Sequence, residues 1–216
     1  MRYLKLFISF TLVLFLFAGC HVNVNKSIYI EDGETKMGNY STVNGNIEIG
    51  KNCTVNGSCR SVNGFINVGK RSRVQTLQTV NGAIHLDEFV FVDGNVNTVN
   101  GHVHCKNDNV IKGDISSVNG HIELFNTVVR RDIIVYTGNV GLNNKSTVEG
   151  DILIKSSKNV NLEPEKLYIT VTDSSVVNGD IINLSNDIEV RVKISAGAIV
   201  KGTIKDATEV IRDEEI

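Results

Sequence analysis

The chain has no tryptophan, a single proline (Pro164) and only 6% aromatic residues. Little material exists for an aromatic-walled sugar-cleaving groove. No stretch repeats its apolar residues at the 3.6-residue period of an amphipathic helix, so an α-helical core is excluded. The formal net charge of −2 provides no basic surface, and nucleic acid is not an expected partner. No nucleophile elbow, P-loop or dinucleotide fingerprint occurs. Only one long apolar run is present, Leu6–Phe17, too short to span a bilayer comfortably.

What the chain does contain is a repeat. Val-Asn-Gly places glycines at Gly45, Gly64, Gly82, Gly101 and Gly120, with Tyr136-Thr137-Gly138 as a degenerate sixth copy; the steps are 19, 18, 19, 19 and 18. Two residues before each glycine stand Val43, Val62, Val80, Val99, Val118 and Tyr136. Two after stand Ile47, Ile66, Ile84, Val103, Ile122 and Val140. Four after stand Ile49, Val68, Leu86, Cys105, Leu124 and Leu142. This period of two predicts a β-strand with all three columns on its buried face. Gly57, Gly94 and Gly113 each fall seven residues before the next repeat glycine, so one unit holds at least two strands and has room for a short third.

Asn-Gly between alternating runs is also a hairpin signal, and an antiparallel meander is the competing reading. A meander does not need the same side-chain type at the same offset every 18 or 19 residues. A parallel solenoid does, because each coil lies on the one before it. The predicted fold is all-β: a single-stranded parallel β-helix with 18–19-residue coils, right-handed by the usual crossover preference. Glycine is expected to supply positive φ at the bends, and asparagine to tolerate it.

Residues 1–19 read as a signal sequence: Arg2 and Lys5, then the apolar run, then Phe17-Ala18-Gly19-Cys20. This resembles the lipobox of bacterial lipoproteins, although Phe17 stands where leucine is preferred. The resemblance implies acylation of Cys20 and an anchor in the cell envelope, at the outer membrane if the source is Gram-negative. More than one acyl chain gives lasting attachment. Removing the segment takes away two basic residues and no acidic one, moving the charge to −4. Residues 20–39 are expected to be a lipidated tether and N-terminal cap, with a capping strand around Ser27–Ile30. Residues 40–216 form the solenoid. Lys158–Lys166 breaks register, Val177-Asn178-Gly179 reads as a last repeat, and the charged Arg212–Glu215 makes a polar end.

Cys53, Cys59 and Cys105 share the parity of core residues and read as small hydrophobes, with a Cys53–Cys59 disulfide as the alternative. Asn95, Asp114, Asp132 and Asp151 form an outward column at steps of 19, 18 and 19. Stacked carboxylates repel. They read either as a solvated row balanced by Lys112, Arg130 and Arg131, or as a calcium site at Asp114, Asp132 and Asp151. Histidines fall outward as well. His102 and His121 lie one after the repeat glycine; His85, His104 and then Glu123 lie three after. These residues could share a zinc ion, or could simply be tolerated on a wet sheet, since Asn46, Phe65 and Ala83 occupy the same columns. No bound cofactor is otherwise implied.

Ile49–Val55 and Val68–Val74 resemble the hexads of left-handed β-helix acyltransferases over two short stretches. A longer span, Tyr40–Lys155, with its repeated VNGxIxL, resembles bacterial adhesin-like β-solenoid domains and, more distantly, the polymer-forming bactofilins. That resemblance implies a non-enzymatic adhesion or scaffolding role, with envelope polysaccharide or protein as partner and end-to-end self-association as an option. It transfers no catalytic residue. The alternatives are a β-helix enzyme acting on envelope polysaccharide and a metal-binding surface lipoprotein.

Overall fold

The computed structural model describes residues 21–156 and 165–213. The signal stretch, Cys20, the segment around Pro164, and Glu214 and Glu215 lie outside the described residues. Those described are all-β, and every strand pairing is parallel, as a solenoid requires and a meander forbids. Strands collect into three sheets of ten, ten and nine. One coil contributes a strand to each: in a representative coil, Cys59–Asn63 to the first sheet, Ile66–Val68 to the second and Arg73–Val74 to the third. The next coil repeats this with Leu77–Asn81, Ile84–Leu86 and Phe91–Val92.

The N-terminal region joins this scheme from its first described residue. His21–Asn23, Ile28–Ile30 and Thr35–Met37 are the first strands of the three sheets. Residues 21–39 are therefore a coil, with the anticipated capping strand as its second side. Val140 pairs with Ile169, a coil lengthened to 29 residues, and the stacking resumes in register beyond it.

Each coil is triangular in connectivity and filled with aliphatic side chains. The second sheet supplies Ile47/Ile49, Ile66/Val68, Ile84/Leu86, Val103/Cys105, Ile122/Leu124 and Val140/Leu142, all buried as the repeat predicts. The third supplies Val55, Val74, Val92, Ile111, Val129 and Val148. Cys53, Cys59 and Cys105 are buried and free, so the disulfide alternative is not realised. Burial pushes the Cys59 thiol up to about 12 and raises that of Cys105 as well.

One predicted column is wrong. Val43, Val62, Val80, Val99 and Val118 do not face the core; Val99 is 38% exposed. The strand ends at the asparagine, and the chain turns a corner at the glycine, so alternation restarts with opposite parity. The inward residues of the first sheet are instead Cys59, Leu77, Val96, Ile115 and Ile133, with Ser61, Thr79, Thr98 and Ser117 beside them. Several of these buried hydroxyls donate to corner carbonyls, such as Ser61 to Gly45 O at 2.8 Å.

The glycines at this corner also serve a different purpose from the one expected. Of the repeat glycines only Gly138 has a positive φ, +94°. A Cβ on Gly64, Gly82, Gly101 or Gly120 would collide with the carbonyl oxygen of the glycine one coil earlier. Close backbone stacking, not left-handed geometry, demands glycine here. The left-handed position lies at the corner between the second and third sheets, where Asn52, Arg71, Phe89, Asp108 and Asn126 have φ of 42–64°. Val177-Asn178-Gly179 is likewise not a last repeat: Val177 pairs with Val148 in the third sheet, and Gly179 stacks on Gly150.

Candidate functional site

Most outward polar columns are engaged from coil to coil. At the corner between the third and first sheets, Asn95 Oδ1 accepts the Asp114 amide at 3.0 Å, and Asp114 Oδ1 accepts that of Asp132 at 3.2 Å. Asp132 and Asp151 repeat the contact to Asp151 and Asp180 at 2.9 and 2.8 Å, and Asp180 passes it to Thr203. The stacked carboxylates are thus offset by the amide dipoles they cap. Asp180 also receives the Lys205 ammonium at 2.7 Å; with the Thr203 amide, this holds its carboxyl down at about 2.

Histidine performs the same task at the Asn-Gly corner. His102 Nδ1 accepts the His121 amide at 3.0 Å, and His121 Nδ1 accepts the Asn139 amide at 2.8 Å. Ser27, Asn46 and Asn139 fill the same role in other coils. As acceptors at Nδ1, both imidazoles carry their proton on Nε2. The repeat asparagines form an exposed amide ladder, each Nδ2 donating to the Oδ1 one coil earlier: Asn44 to Asn25, Asn63 to Asn44, Asn81 to Asn63 and Asn100 to Asn81, at 2.6–2.9 Å. Periodicity signalled these columns; the hydrogen bonds that explain them carry no separate sequence signature.

The outer face of the second sheet is the exception, because its central column is not consumed by capping. In register it reads Tyr29, Glu48, Asn67, His85, His104, Glu123, one side chain per coil. His104 Nδ1 lies 3.2 Å from Glu123 Oε2, and the His85 and His104 rings are 6.3 Å apart. Burial, reinforced by His104 and His102, holds the His85 imidazole below its ordinary value. Structure thus brings His85, His104 and Glu123 into one row and His102 with His121 into the next. Among the described residues, no three His, Cys, Asp or Glu side chains are arranged to hold a metal ion.

A groove of about 600 Å³ runs along this face across the first five coils. Its floor is Tyr29, Glu48, Asn67, His85 and His104; Asp32, Asp87 and Lys106 stand along one side. The sequence pointed to the histidine end only. Tyr29, Glu48 and Asn67 belong to the same column, and taking the column to its N-terminal limit would have found them. On the first sheet the misplaced valines line a second, apolar groove of about 290 Å³, from Val62 through Val80 and Val99 to Val118.

The stacked sheets define a parallel β-solenoid of about nine turns. No family model, curated protein or solved structure matches the chain.

Proposed function

We propose that this is a lipid-anchored protein of the bacterial cell envelope whose solenoid binds or scaffolds and does not catalyse. The observation that carries the reading is the use of the acidic column. Asp114, Asp132 and Asp151 each spend an oxygen on the backbone of the following coil. A carboxylate pair for glycoside hydrolysis needs one group free to protonate and another free to attack or activate water; these serve as braces instead. The resemblance of VNGxIxL to adhesin-like and bactofilin domains supports the same role.

The lipobox-like Phe17-Ala18-Gly19-Cys20 supports the anchor. His21, next in the chain, already begins the first coil, so an acylated Cys20 holds the solenoid against the bilayer with no spacer. Cys20→Ser tests this by fatty-acid labelling and cell fractionation. Loss of label and release from membranes are expected; unchanged label and membrane association would reject the anchor.

A further inference from the structure

We propose that the groove on the second sheet binds a linear polysaccharide chain, uncharged or amine-bearing, laid along the solenoid axis. The inference deepens the binding role proposed above, and rests on it, by naming the surface and the ligand class.

Four features of the groove converge on this ligand. First, its floor offers one side chain per coil, so aromatic, carboxylate, amide and imidazole groups succeed one another at the strand spacing of about 4.8 Å. Groups in such a row engage a ligand that itself repeats and is extended. Second, beyond the edge strand Ile28–Ile30 the floor from Glu48 to His104 is the face of strands whose backbone groups are used in the ladders on either side. Along that face a peptide cannot add as a strand, which requires a free edge. Recognition must come from side chains, and it suits a ligand rich in hydroxyls. Third, the groove selects against anions. Glu48 has no ion-pair partner among the described residues, and the single lysine in the lining, Lys106, is 3.2 Å from Asp87. Carboxylates only accept hydrogen bonds, so the ligand must donate them. Fourth, Tyr29 is 64% exposed beside Glu48, giving one end a flat apolar surface for the C–H face of a sugar ring.

Packing keeps this trough open. Gly50 and Gly69 line it beside the floor. A side chain on Gly50 would strike Asp32, and one on Gly69 would strike the Gly50 backbone. At these two coils the flank therefore stays bare for reasons internal to the solenoid.

The test is calorimetric titration of the full chain in detergent with a glucosamine hexasaccharide. Saturable binding is expected, with Glu48→Gln and Tyr29→Ala each weakening it about tenfold. Val118→Thr, on another face, leaves it unchanged, and circular dichroism confirms that all variants keep the wild-type fold. A galacturonate hexasaccharide should not bind. The proposal is overturned if the glucosamine chain does not bind saturably, if galacturonate or hexalysine binds as tightly, or if Glu48→Gln and Tyr29→Ala bind like wild type. Titration in detergent requires no anchor, and labelling of Cys20→Ser requires no glycan, so failure of either proposal is read separately.

Discussion

His102 and His121, 19 residues apart, stack with ring centroids 5.0 Å apart and planes within 8°, and the first ring accepts the second residue's amide. The contact is a corner brace made from histidine, equivalent to the brace Asn46 makes to Phe65. His102→Asn should keep the acceptor and leave stability close to wild type. His102→Ala should cost about 0.5–1.5 kcal/mol, the net value of one hydrogen bond. Urea unfolding distinguishes them; equal losses would show that ring stacking, not the acceptor, matters.

Gly101 and Gly141 are predicted to respond oppositely to alanine. A Cβ on Gly101 meets the Gly82 carbonyl oxygen, and stacked coils cannot separate locally without breaking ladder bonds. Gly101→Ala should cost about 1–3 kcal/mol, as overpacking does. At Gly141 a Cβ would lie 3.5 Å from the nearest atom, Asn143 Nδ2, with no positive φ. Gly141→Ala should be neutral or stabilising by up to about 1 kcal/mol, by reducing the freedom of the unfolded chain. Thermal denaturation of the pair checks this.

Phe89 is 47% exposed and held at φ 59°, a left-handed conformation that bulky residues adopt at a cost. Asn52 and Asn126 occupy the same corner in other coils. Phe89→Asn should raise stability by about 1 kcal/mol, less the cation–π contacts from Lys70 and Arg71. A lower denaturation midpoint would show that those contacts dominate.

Acid should weaken the fold through His85 before it acts on the carboxylates. Its folded-state value lies below the ordinary 6.5, so the unfolded chain takes up the proton first. The contribution is complete above 6.5 and is lost as the pH falls from there toward the folded value. Asp180, depressed from 3.8 to about 2, contributes stability that is complete above 3.8 and fades as the pH falls through about 2. His85→Gln should flatten the dependence of the urea midpoint as the pH falls below 6.5, and an unchanged slope would remove His85 from the account.

Ile122 and Leu124 show how much was legible beforehand. Their columns, recurring every 18 or 19 residues, sufficed to choose a parallel coil over a hairpin and to find the buried face of the second sheet. Val99 shows where the reading failed. Its column is as regular and as apolar, but periodicity cannot reveal that the chain turns at Gly101 and reverses parity. Asp114 marks another limit: a column of like charges is visible, whereas the amide that each oxygen meets exists only once coils are stacked. At the groove, histidines drew attention to one end; Tyr29 lay in a coil that the repeat did not announce, and Glu48 in one that it did, three after Gly45, but with no histidine to mark it.

The braces have a direction. At two corners the acceptor belongs to the earlier coil and the amide to the later one, as in Asp114 to Asp132 and His102 to His121. At the third corner the later coil supplies the acceptor, as when Asn109 receives the Val90 amide and Ser146 that of Thr127. A chain emerging amino end first from a narrow pore therefore winds like thread on a spool. The turn from 115 to 132 shows the full set: His121 and Asp132 offer acceptors to the turn that follows, and its Thr127 amide is held by Ser146 sent back. No brace reaches beyond the neighbouring turn, so each turn can wind as soon as the next has emerged.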